Sequence, residues 1–165
     1  MKYPLIRPSL ASLALAALLL PACGPKNHAD AGFAALRDGH YDQAAEALAK
    51  AEKAAPAGSP EARQAAVGHC QALAHLNADQ CVARLEELTK QAGLGLEARD
   101  FETVAQELMS VQAWPQAAKA VHLGLVAFAD NPRLPQFMTK LQTLAKQGDQ
   151  PALATTLKGL GYGGE

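Results

Sequence analysis

One arrangement of residues recurs along this chain and narrows its fold more than anything else in it. Gly39, Tyr41, Ala44, Leu48, Ala51 and Pro56 lie at successive spacings of two, three, four, three and five residues. The alternation of threes and fours from Tyr41 to Ala51 puts those side chains on one face of an α-helix. Two of them are alanine, so a second helix must come close to fill the space beside them. Gly39 and Pro56 punctuate the two ends. The arrangement returns as Trp114-Pro115-x-Ala117, followed by Val121, Gly124 and Pro132. With Ala44, Cys81, Ala117 and Leu153 taken as equivalent points, the spacings are 37, 36 and 36 residues. A period of that length is one supersecondary unit, which needs stacked neighbours to bury its apolar face. Only 5% of the residues are aromatic, alanine is abundant, and no run of alternating β-branched residues occurs. An all-α domain is therefore expected.

The segments before each recurrence carry a matching pattern. Phe101-x-x-Val104-Ala105-x-x-Leu108 sets an aromatic, an aliphatic, a small and a large side chain on one helical face. Weaker copies run through Gly68 and Ala72, the break Asn77-Ala78-Asp79, then Leu85 and Leu88. Another runs through Phe137, Leu141, Leu144, Gly148-Asp149, Leu153, Leu157 and Leu160. With these motifs the chain resembles the tetratricopeptide-repeat (TPR) family over residues 28 to 160, most fully in residues 39 to 56 and 98 to 132. The resemblance implies an α-solenoid of about four TPR-like repeats, each an antiparallel helical hairpin, stacked in a right-handed superhelix. The family period is about 34 residues, so these repeats are slightly long, with extended linkers such as Ala57-Gly58-Ser59-Pro60. Trp114 falls in register with Tyr41, which assigns it a packing role over a ligand-stacking one.

The N-terminal stretch carries Lys2 and Arg7, then an apolar run of eleven residues from Leu10 to Leu20. That is about half the length a membrane-crossing helix needs, so the stretch reads as a signal peptide over residues 1–22. Leu20-Pro21-Ala22-Cys23 resembles the lipobox of bacterial lipoproteins. The resemblance implies that Cys23 is acylated and becomes the N-terminus of the mature chain. More than one fatty chain at that cysteine satisfies the condition for stable anchoring. The other reading is an ordinary secretory peptide cut near Ala22, with Cys23 a plain thiol. Gly24 stands where lipoproteins kept in the inner membrane carry Asp, so the expected address is the outer membrane, facing the periplasm. Residues 23–27 then form a short lipidated linker and residues 28–165 the repeat domain.

From residue 23 onward the chain has 13 basic and 16 acidic side chains, which offers no basic surplus for nucleic acid. Two cysteines remain beyond the anchor, Cys70 and Cys81, in a compartment that permits disulfides. The equivalent residues of the TPR family face each other across a helix pair, so the resemblance implies a disulfide between them. Two buried free thiols, or a metal site with His69 and His75, are the other readings, and no CxxC or HxxxH spacing favours the metal.

In the TPR family the first helices of successive pairs line a concave surface that holds a peptide or partner protein. Carried onto this chain, the resemblance implies a partner-binding groove formed by Lys26, Phe33, Arg37, Arg63, Arg99, Glu102, Gln106 and Met109. Lys26, Arg63 and Arg99 occupy equivalent points, either as a column of positive charge along one edge or as ordinary solvated helix charges. Side-chain catalysis needs a base beside a nucleophile or paired carboxylates. His28, His40, His69, His75 and His122 are scattered, and neither Gly-x-Ser-x-Gly nor a phosphate-cradling glycine loop occurs. No enzymatic activity, cofactor or metal is expected. The expected role is a membrane-anchored scaffold or adaptor for another envelope protein or peptide segment. The alternative is a dedicated assembly factor, similar to the repeat lipoproteins that help place pilus, secretion or β-barrel subunits in the outer membrane.

Overall fold

The structure, a computed structural model, describes residues 27–163. The expected leader, Cys23 and Lys26 lie outside the described residues. Within them the chain forms eight α-helices and no strand. They are α1 (His28–Arg37), α2 (Tyr41–Ala54), α3 (Pro60–Leu76), α4 (Ala78–Lys90), α5 (Ala98–Ser110), α6 (Trp114–Ala127), α7 (Leu134–Lys146) and α8 (Pro151–Gly159). No helix among the described residues is long and apolar enough to cross a membrane.

Local chemistry sets most of these boundaries. The Asn27 side chain accepts the Asp30 N–H at 2.9 Å, and Ser59 accepts the Ala62 N–H at 3.1 Å with Pro60 opening α3. Asn77 alone separates α3 from α4, and its side chain accepts the Gln80 N–H at 3.1 Å. At the end of α1, Gly39 takes φ +76°, which lets the His40 N–H reach back to the Ala35 carbonyl at 2.8 Å. The end of α5 makes the same bond, from the Ala113 N–H to the Leu108 carbonyl at 2.9 Å. There the left-handed residue is Gln112, φ 59°, which carries the Cβ crowding that glycine avoids.

Recorded helix contacts join elements one or two places apart in sequence. Six of the sequential pairs pack on each other, and α1 meets α3, α3 meets α5, α4 meets α6, α5 meets α7 and α6 meets α8. The interior falls into two clusters. The larger runs from α3 to α8 and includes Leu85, Leu88, Phe101, Val104, Leu108, Val121, Leu141 and Leu153. The smaller holds Ala44, Leu48 and Ala72, with Phe33 and Leu36 packed on it.

Small residues fall on the buried faces of the helices. Ala44, Ala105 and Ala117 are fully buried, and Ala51 is buried as well. A Cβ at Gly124 would lie 2.9 Å from Phe101 Cβ and 3.1 Å from Leu134 Cδ1, inside the normal packing distance of about 3.5–4.0 Å. Residue 124 thus sets how closely α6 approaches both α5 and the start of α7.

Cys70 and Cys81 are both buried and both free. The structure holds the pair as thiols and not as the disulfide expected from the sequence. Burial pushes the Cys70 thiol up and takes the Cys81 thiol up to about 12. Neither readily supplies the thiolate that disulfide exchange requires.

Candidate functional site

A hollow of about 300 Å³ opens across three helices that are far apart in sequence. Phe33 comes from α1, Val67 and Gln71 from α3, and Arg99 and Thr103 from α5. Helical spacing explains the set: Arg63, Val67 and Gln71 follow one another at i, i+4 and i+8, and Arg99 and Thr103 at i and i+4. Phe33 reaches the hollow because α3 presents Gly68 to it, where a Cβ would stand 2.7 Å from the ring.

Two polar bridges tie α3 to α5, one at each end. At the N-terminal end, Arg63 Nη1 donates to the Gly95 carbonyl at 2.9 Å and to the Glu97 carboxylate. Its Nε lies 3.9 Å from Asp100 Oδ2. At the C-terminal end, His75 Nε2 lies 2.5 Å from Glu107 Oε1, and the Tyr41 ring stacks on the imidazole at 3.7 Å. Start is joined to start and end to end, so α3 and α5 run side by side in the same direction with the hollow between the bridges.

The electrostatics of the hollow are set by the first bridge. Its hydrogen bond to Glu97 holds the Arg63 guanidinium above its ordinary pKa. Burial raises the Asp100 carboxyl, while the Glu97 N–H and the Arg63 charge pull it back down. Arg63 is thus consumed in holding the loop before α5. Arg99 is exposed and has no ion-pair partner among the described residues, so it is the uncompensated cation on the rim.

Of the residues expected in a groove, the hollow brings together Phe33, Arg63 and Arg99. Arg37 is exposed at the end of α1 and Gln106 is exposed on α5, and neither lines the hollow. Met109 packs against the larger core cluster. Glu102 is only 5% exposed and turns toward the α6–α7 segment, where its Oε2 lies 3.2 Å from Arg133 Nε. A partner 31 positions away draws that carboxylate inward, and the placement in the groove is corrected accordingly. Val67, Gln71, Asp100 and Thr103 were missed, although the helical step from Arg63 and Arg99 reaches three of them.

The histidines do not converge: His75 serves the bridge to Glu107, and His122 Nδ1 lies 3.1 Å from the Tyr162 hydroxyl. No group of three or more His, Cys, Asp or Glu among the described residues is placed to hold a metal ion. In comparison with known proteins, no family model, curated protein or solved structure matches the chain.

Proposed function

We propose that this chain is a lipid-anchored adaptor of the bacterial cell envelope, built from about four TPR-like hairpins, which holds a segment of another envelope protein in the hollow across α1, α3 and α5. The observation that carries the reading is the hollow itself. Alternate helices line it, as the first helices of stacked hairpins do in a solenoid with a concave binding face. Parallel alignment of α3 with α5 and the matching chain reversals at Gly39 and Gln112 support the same reading. The floor offers apolar area from Phe33 and Val67, and Gln71 and Thr103 offer hydrogen bonds to an extended peptide. Arg99 favours an acidic residue or a C-terminal carboxylate at one end of that peptide.

Arg99→Glu tests the groove without disturbing the fold, since the side chain is exposed and unpaired. Co-purification of the partner with the acylated protein should fall by about tenfold, with helicity unchanged and the difference shrinking as salt is raised. Undiminished co-purification would remove Arg99 from the interface. Arg63 is a poor probe, because its reversal would break the bridge to α5.

Anchoring is tested separately. Cys23→Ser should remove the acyl mass from the N-terminus and move the protein from the membrane fraction to the soluble periplasmic fraction. Wild-type protein that is already soluble and unacylated would refute the anchor while leaving the hollow untouched.

A further inference from the structure

The opposite end of the molecule has a second hollow, larger and of different character. It measures about 580 Å³ and lies between α7, α8 and the residues that follow α8. Its surface is formed by Ala145, Ala154, Leu157 and Tyr162, and the exposed Lys146 and Lys158 stand at its edges. Tyr162 is held firmly: its carbonyl accepts Gln142 Nε2 at 3.1 Å, its N–H donates to the Leu157 carbonyl at 2.8 Å, and its hydroxyl meets His122. The wall is therefore preformed. A third hollow, of about 430 Å³, shares Gln142 and Tyr162 with it and extends to Leu125 and Met138.

Charge sets this end apart. Residues 27–130 carry eight basic and fourteen acidic side chains, whereas residues 131–165 carry four basic and two acidic ones. In the earlier part of the chain Lys50 is paired with Glu46, Lys90 with Glu86, Arg84 with Glu52 and Arg63 with Glu97, and acidic side chains outnumber basic ones around the rest. Lys140, Lys146 and Lys158 have no ion-pair partner among the described residues.

We propose that the α7–α8 hollow is a second docking site, separate from the groove across α1, α3 and α5, and that it takes an acidic amphipathic segment of a partner protein. Apolar side chains of that segment enter the hollow, and its carboxylates lie beside Lys146 and Lys158. Shape decides between a peptide and a membrane surface. A lipid interface is met by apolar groups that protrude into it, whereas a concave apolar surface receives protruding side chains from a partner. Two cations flanking an apolar floor complement an acidic helix with a leucine face and repel a basic one.

The test uses the full chain carrying Cys23→Ser, so that no acyl group competes for the hollow. The probe is a fluorescein-labelled helical peptide with leucines spaced four apart and glutamates elsewhere on its surface, set against the same peptide with lysine for each glutamate. The glutamate peptide should bind at least about tenfold more tightly. Lys146→Glu with Lys158→Glu should reverse that order, and Ala154→Phe should fill the hollow and abolish binding of both. All three substituted side chains are exposed, so circular dichroism should be unchanged. Equal affinity for the two peptides, no binding of either, or indifference to the lysine reversal would overturn the proposal. So would lysine-dependent binding to phosphatidylglycerol-containing vesicles without peptide binding, which would assign the charge to a lipid surface.

Discussion

Phe101→Ala should lower the unfolding free energy by about 3–5 kcal/mol and the melting midpoint by about 10–20 °C. Phe101 is fully buried at the centre of the larger cluster, with the Phe128 ring 5.8 Å away at a 60° tilt. Its Cβ and Cγ lie where a side chain on Gly124 would have to go. Truncation therefore removes the contact surface on which α5, α6 and the start of α7 meet, and the glycine opposite offers nothing with which to fill the cavity. Chemical denaturation followed by far-ultraviolet circular dichroism measures it. A loss below about 1 kcal/mol would mean that the α5–α6 contact is not the close one described.

Leu48→Ala should cost about 2–5 kcal/mol, with a different distribution along the chain. Leu48 is fully buried in the smaller cluster, against Gly32 of α1 and Gly68 of α3. Helix contacts in this chain link near neighbours in sequence, so damage at one end has few routes to the other. Amide exchange should quicken across α1 and α2 while α5 to α8 keep their protection. Uniform loss of protection along the whole chain would show that the two clusters unfold as one unit.

Helix boundaries were largely legible in the sequence, because the chemistry that sets them is local. Gly39 ends α1, Asn77 divides α3 from α4, and Trp114-Pro115 opens α6, each where the punctuation predicts. The small-residue stripe was legible for the same reason: Ala44, Ala105 and Ala117 lie on faces that helical spacing defines, and all three are buried. The groove was less so. Whether a charged side chain on a helix is free or spent depends on partners the local sequence does not reveal. Arg63 meets Glu97 across 34 positions, and Glu102 is drawn inward by Arg133. Periodicity alone leaves both as exposed charges. The state of the cysteines was not legible either: Cys70 and Cys81 are buried and free, and an even cysteine count permits a disulfide without requiring one.

The proposed function rests on the surface shared by α1, α3 and α5 meeting an envelope partner. Photo-crosslinking residues placed singly at Gln71 and Thr103, inside the hollow, and at Glu86 and Lys119, exposed on α4 and α6, test it in intact cells. Gln71 and Thr103 should yield a crosslink to the same envelope protein, and Glu86 and Lys119 should yield none to it. A partner captured from Glu86 or Lys119 and from neither hollow position would place the functional surface on the even-numbered helices and contradict the account.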